Sequence, residues 1–272
     1  MAQPKHDRLV QDLLALKLNH IAENYKEVLD EAARKNTPML DVLLQLFGGQ
    51  SASRRDNALA RRVQAARLPV MKTLTDYDFT FPKKAPKQKI LRLFDCQFIE
   101  TFSCAVLIGA TGVGKTHLLT ALGYVASEKG ISVRFTRVID MINVLTTAQQ
   151  NGMLEKKLKE YVRPQLLLLN ELGYLPIDKR GADLMFQVVA ARYETGSIVI
   201  STNRSFKEWG QIFDVDNTLA TAHDLERRLF GGDVTCRKSC TSRCALHYGQ
   251  VRPTWSPPFP VALIERNTTR DN

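Results

Sequence analysis

Acidic residues are scarce beside basic ones. The chain has 28 Asp and Glu against 38 Lys and Arg, a formal net charge of +10. That surplus favours a polyanionic partner such as nucleic acid. Long apolar runs are missing: none approaches the length needed to span a bilayer. Met1 to Asp7 lead into no signal-peptide core, so a cytoplasmic location without membrane association is expected. Cysteine is sparse, and its count of 5 is odd, which argues against a disulfide framework. What is present is ordinary for a globular protein: 272 residues, 44% hydrophobic and 24% charged, enough for one large domain with a sizeable core and a smaller companion.

The most informative stretch is Gly109-Ala110-Thr111-Gly112-Val113-Gly114-Lys115-Thr116, which fits G-x-x-x-x-G-K-[ST]. Ala105 to Ile108 precede it as a buried strand. His117 to Glu128 follow with helical apolar spacing, and Gly130 is placed as the stop. Glycines let the backbone curl so that successive N–H groups converge on a phosphate, and the helix N-terminus adds a positive dipole end. Lys115, expected to face solvent, reaches the β- and γ-phosphates of a nucleotide, and the Thr116 hydroxyl binds Mg²⁺.

The N-terminal third predicts helices only. Leu9, Val10, Leu13, Leu14, Leu18 and Ile21 begin a stripe that continues to Ala32, so one helix is expected over residues 8 to 35. Thr37 and Pro38 open a second, which Gly48-Gly49 should stop, and Ser53 to Leu68 form a third. Between Arg54 and Lys89 lie 10 Lys/Arg and only 3 acids. Arg54, Arg55, Arg61 and Arg62 recur after about two helical turns, and with Arg67 they are candidates for phosphate contacts on DNA. A solvated helix face is the alternative. Thr75 to Pro82 reads as a linker whose aromatics dock on the next domain.

From Ile90 the pattern alternates between helices and strands, which implies a parallel sheet. A helix over Ile90–Phe98, strands over Ser132–Thr136, Leu166–Leu169 and Ser197–Ser201, and helices over Val138–Gln149, Leu154–Val162 and Gly181–Tyr193 are expected. Ligands of such sheets bind beyond the carboxyl ends of the strands. Asn170-Glu171 and Asn203 follow two of those ends and should face the phosphate loop. Glu171 is then placed to orient the water attacking the γ-phosphate, with Asn203 bonding that water or the phosphate.

Asn170-Glu171-Leu172-Gly173-Tyr174-Leu175-Pro176 closely resembles the D-E-L-G-Y-L-P segment of the IstB-like ATPases, AAA+ proteins that assist a transposase and are related to the DnaC helicase loader. Gly181 to Val188, Ala191 to Glu194, Ser201 to Gly210, Ala60 to Arg62, Ala65 to Pro69 and Asp76 to Phe79 extend the likeness, which runs from about Leu13 to Ala222. The resemblance implies a P-loop AAA+ parallel sheet flanked by helices, with an all-helical N-terminal domain. It also implies a Walker A loop over Gly109–Thr116, a Walker B glutamate at Glu171 and a sensor asparagine at Asn203, and His117, next to the loop, is expected to join it in binding the nucleotide. ATP-dependent homo-oligomer assembly on duplex DNA and an IstA-like transposase partner follow from it as well.

Two features depart from the family. Asn170 stands where the family carries a metal-binding Asp, and the sequence after Ala222 diverges. Leu225-Glu226-Arg227 is a loose match that makes Arg227 a candidate arginine finger. Cys236, Cys240, Cys244 and His247 offer ligand chemistry for zinc, but lack a second knuckle, and the four prolines from Pro253 to Pro260 suggest an unfolded end. The expected organisation is a helical module over 1–70, a basic linker over 71–89, an ATPase domain over 90–230 and a poorly ordered tail over 231–272. Besides the transposase helper, a DnaC-like helicase loader, a non-hydrolysing ATP-dependent DNA scaffold and a small-molecule kinase fit parts of this pattern. A kinase would leave the basic helical module unexplained.

Overall fold

A computed structural model of the protein describes residues 5–80, 86–205, 208–212 and 262–264. The chain divides into two compact units, Met1–Arg61 and Arg62–Asn272.

In the first unit, α1 spans Lys5–Ala15 and α2 spans Asn19–Lys35. The single helix expected over residues 8 to 35 is therefore two. Lys17 takes a left-handed φ of 56°, and the Leu18 N–H reaches back to Leu13 O at 2.8 Å, a Schellman-type ending that a run of apolar residues does not announce. The next helix, α3, is continuous over Met39–Ala66, so Gly48-Gly49 do not stop it. Glycine in a helix costs about 1 kcal/mol relative to alanine, which packing overrides. Here the packing is visible: a Cβ on Gly49 would lie 2.5 Å from His20 Nε2, so its absence lets α2 come close. Buried Gln50, the next residue, accepts the Ile21 N–H at 3.4 Å. Ile21, Tyr25 and Val42 are buried in this unit, while Met39, Leu40, Leu44 and Phe47 stay exposed.

The second unit is a parallel sheet covered on both faces. The strands are β1 (Ala105–Gly109), β2 (Val133–Arg137), β3 (Leu166–Leu172), β4 (Ser197–Thr202) and β5 (Ala262–Ile264), in spatial order β2-β3-β4-β1-β5. The helices are α4 (Lys87–Phe94), α5 (Gln97–Glu100), α6 (Lys115–Glu128), α7 (Val138–Gln150), α8 (Leu154–Val162), α9 (Lys179–Arg192) and α10 (Trp209–Ile212). The one helix expected over Ile90–Phe98 is split by Cys96 at φ 60°. Strand side chains alternate between two cores. Val106, Leu167, Leu169, Ile198 and Ile200 pack with α7 and α9, whereas Leu107, Leu166, Leu168 and Val199 pack with α4 and α6. Coverage of both faces is the reason Leu166–Leu169 is apolar at every position.

Two features lie outside the expected pattern. Ala262–Ile264 pair in parallel with Leu107–Gly109, so part of the segment expected to be a poorly ordered tail supplies a sheet edge. Arg192, buried at the end of α9, donates to the carbonyls of Tyr161, Val162, Pro164, Gln165 and Ser197 at 2.7–3.1 Å. These bonds tie the chain leading into β3 to the start of β4, and burial lowers the guanidinium pKa to about 10.

Candidate functional site

The phosphate loop joins β1 to α6, as the strand–loop–helix spacing predicts. Gly112 and Gly114 both have φ of +83°, a region that only glycine enters without strain. Gly114 is constrained twice, because a Cβ there would lie 2.6 Å from Tyr77 Cε2. Tyr77, from the linker, is buried beneath the loop and donates its hydroxyl to Val113 O at 3.0 Å. Its ring also meets His117 edge-on, and His117 Nε2 lies 2.8 Å from Thr73 O. The expected docking of linker aromatics is thus a strap under the phosphate loop, built around a tyrosine whose role spacing alone did not reveal.

Lys115 is half-buried, which corrects the expectation that it faces solvent. Its ammonium donates to Gly109 O at 2.7 Å and Ala110 O at 2.8 Å, across the hollow of the loop. Burial lowers its pKa, and the charge of Glu171 offsets part of that shift. Those carbonyl bonds are weak competitors for a triphosphate, which presents full negative charge to the same ammonium.

Strand β3 delivers its last residues through a β-bulge. Leu169 pairs with Ile200 and Leu172 with Thr202, so β3 carries one residue more than β4 between those pairs. Glu171 takes the strain of the bulge, with φ of 63°, unusual for a residue with a side chain. Its N–H is satisfied by Ser201 Oγ at 3.0 Å. The bulge separates two neighbours: Asn170 is buried and Glu171 is exposed at the strand end. Asn170 Oδ1 accepts the hydroxyls of Thr116 at 3.1 Å and Ser201 at 2.6 Å. Thr116 and Asn170, the expected metal-side pair, are therefore brought together from α6 and β3. Arg137, at the end of β2, is bidentate to Asp140 at 2.7 and 2.9 Å. That bond, with Asp140's charge and to a smaller degree Glu171's, raises its pKa.

Asn203 is exposed in the bend after β4, one residue beyond Thr202, which pairs with Ile108. It therefore lies level with the start of the phosphate loop. The bend is set by Thr202 Oγ1, which donates to Leu172 O at 2.7 Å and accepts the Arg204 N–H at 3.0 Å.

The five basic candidates for DNA contact differ in their surroundings. Arg54 donates to Lys17 O at 3.2 Å and Arg62 to Ser127 O at 2.8 Å. Arg55 and Arg61 are exposed, and Arg67 lines a cavity beside β2. Arg227 and the group Cys236, Cys240, Cys244 and His247 lie outside the described residues. Among the described residues, no helix is long and apolar enough to cross a membrane.

The sequence from residue 11 to residue 235 matches the family model described as IstB-like ATP binding protein. The insertion sequence IS21 ATP-binding protein of Pseudomonas aeruginosa is 35% identical over 210 residues, covering 77% of this chain and 79% of that protein. The IS5376 ATP-binding protein of Geobacillus stearothermophilus is 34% identical over 207 residues, covering 76% of this chain and 82% of that protein. In fold, the chain resembles a crystal structure of DnaI, with a TM-score of 0.51 and 19% identity over 61% of this chain and 88% of that one. It also resembles AMPPCP-bound DnaA from Aquifex aeolicus, with a TM-score of 0.50 and 20% identity over 59% of this chain and 49% of that one. With the phosphate loop, the strand order and these relatives together, the chain belongs to the family of IstB-like ATP-binding proteins found in insertion sequences.

Proposed function

We propose that the protein binds ATP and Mg²⁺ at this loop, assembles as an ATP-dependent homo-oligomer on duplex DNA in the cytoplasm, and assists a transposase in insertion-sequence transposition. The observation that carries the nucleotide part is the meeting of three elements at one point. The loop's left-handed glycines, the Lys115 ammonium and the Thr116–Asn170 pair at 3.1 Å share the carboxyl end of the sheet. This donor set fits a triphosphate: N–H groups at a helix start, a cation and a hydroxyl. Thr116 and, through water, Asn170 would hold Mg²⁺, which when bound neutralises charge on the β- and γ-phosphates. Lys115 exchanges its loop carbonyls for phosphate oxygens. Glu171 accepts a proton from the attacking water as that water's oxygen bonds phosphorus and the bond to ADP breaks, and Asn203 orients the water. The exposed guanidiniums of Arg55 and Arg61 support DNA contact, while Arg54 and Arg62 already have partners within the chain.

Asn170 favours a second reading, an ATP-dependent DNA-binding scaffold that does not turn over. An amide there lacks the charge that would oppose Mg²⁺. ATP hydrolysis measured with and without duplex DNA separates the two. Stimulation by DNA supports the transposase helper, binding without turnover supports the scaffold, and failure to bind ATP defeats both.

A further inference from the structure

Beyond the nucleotide loop, the outer side of β2 holds a cavity of about 400 Å³. Thr116 and Asn170 of the nucleotide site are among its lining residues, and so are Arg67, Arg134 and Arg137. Arg134 is the unusual member. A residue in a five-residue edge strand is expected to send a charged side chain to water, yet Arg134 is only 8% exposed. Its guanidinium lies 5.6 Å from the centre of the Tyr161 ring, also in the wall, and hydrogen-bonds the Tyr161 side chain. Its Nε is buried without a hydrogen-bond partner among the described residues. Glu160 is its nearest carboxylate, at 3.7 Å, and that carboxylate is engaged with Lys157 at 2.6 Å. Asp140, the acid in the wall, is taken up by Arg137. The wall therefore carries three guanidiniums against one carboxylate, and one buried donor has no acceptor.

A buried guanidinium with one N–H left unpaired costs free energy, and an acceptor beside it offsets that cost. Planar guanidiniums match phosphate oxygens in geometry as well as charge. The cavity has room for an oxyanion with several waters, since a water occupies about 30 Å³. We propose that the cavity formed by Arg67, Arg134 and Arg137 binds a phosphate group separate from those of the nucleotide in the loop. The phosphate comes either from the backbone of bound DNA or from free inorganic phosphate.

The proposal rests on the nucleotide reading only in that ADP is used to fill the loop. The full-length protein is saturated with ADP and Mg²⁺, and inorganic phosphate is titrated calorimetrically at constant ionic strength. Saturable uptake is expected, weakened about tenfold or more in Arg67→Gln and Arg134→Gln. Arg67 is exposed, so its variant reports even where the Arg134 variant fails to fold. Displacement of phosphate by duplex DNA, with a DNA-binding salt slope about one unit lower in Arg67→Gln, assigns the site to the DNA backbone. Phosphate uptake that duplex DNA leaves unchanged assigns it to the free ion. Absence of saturable uptake, or equal affinity in the wild type and Arg67→Gln, overturns the proposal. Failure of ADP to bind defeats the nucleotide reading instead, and the dependence of phosphate uptake on Arg67 then still decides this one.

Discussion

Ser201 donates its hydroxyl to Asn170 Oδ1 at 2.6 Å and, with the same oxygen, accepts the Glu171 N–H at 3.0 Å. One small polar side chain in a buried strand thus fixes both residues at the end of β3. Without it, the bulge would leave a backbone donor with no partner and Asn170 with only Thr116. Ser201→Ala is expected to destabilise the protein by about 1–3 kcal/mol, the cost of stranding buried polar groups. ATP turnover should fall further than nucleotide affinity, because Glu171 is held by the bulge whereas the phosphate loop is not. Thermal unfolding and steady-state hydrolysis check this, and an unchanged unfolding midpoint would rule out the role given to Ser201.

Gly114→Ala places a methyl group against the Tyr77 ring at a φ of +83°. The backbone strain and the close contact are each expected to cost on the order of 1 kcal/mol or more. Nucleotide affinity should drop more than tenfold. Tyr77→Phe keeps the ring and loses only the hydroxyl bond to Val113 O, so it should cost about 0.5–1.5 kcal/mol in stability. Nucleotide titrations of both variants, with thermal unfolding alongside, test whether the linker strap shapes the loop. Equal ATP affinity in Gly114→Ala and the wild type would contradict it.

Lys115 should make ATP binding weaken at alkaline pH. Burial lowers its pKa in the free protein, and a triphosphate beside the ammonium raises it again. Between those two values, binding ATP takes up a proton. Affinity should be flat below the free-protein pKa and then fall by up to about tenfold per pH unit as pH rises through the window. The fall should begin below the range of an ordinary lysine. Removal of the ammonium in Lys115→Ala should abolish most of the affinity and flatten the alkaline fall. Calorimetric titrations across pH measure both, and a variant with an undiminished alkaline fall would assign it to another group.

The core around the phosphate loop was largely legible because its signals are local. Leu166–Leu169 announces a strand buried on both faces, and Gly112 and Gly114 announce positive φ, since only a few side chains satisfy those positions. The helix ends in the N-terminal unit were less legible. Gly49 serves close packing on His20 and does not end α3, which depends on a residue almost thirty positions away. Lys17 ends α1 with a side chain usually found inside helices. In the site, Asn170 and Glu171 could be placed from their position after the apolar run Leu166–Leu169, but the bulge of β3 that buries one and exposes the other could not. Ser201, a polar residue at the end of the apolar run Ile198–Ile200, was the available clue to it.

At the proposed Mg²⁺ site, Asn170 stands where the resemblance implies an aspartate, and its hydrogen bonds sharpen what that difference does. Asn170 Oδ1 already accepts two hydroxyls, and the other end of the amide is an NH₂ group, a donor that cannot accept a proton from metal-bound water. An aspartate would place a second acceptor and a full charge there. At about 5 Å and an effective dielectric of about 20, a unit charge and a divalent ion attract by several kcal/mol. Desolvating the carboxylate at this buried position returns part of that, leaving a net gain of roughly 1–3 kcal/mol. Asn170→Asp is therefore expected to lower the Mg²⁺ midpoint for ATP hydrolysis about tenfold and to raise turnover. ATP affinity should change little, because Lys115 and the loop are untouched. Without Mg²⁺ the same carboxylate is buried with only hydroxyl donors, so the thermal midpoint should fall below that of the wild type and recover when Mg²⁺ and ATP are added. If neither turnover nor the Mg²⁺ midpoint moves, the amide is neutral at this position, and any slow turnover has its source elsewhere in the chain.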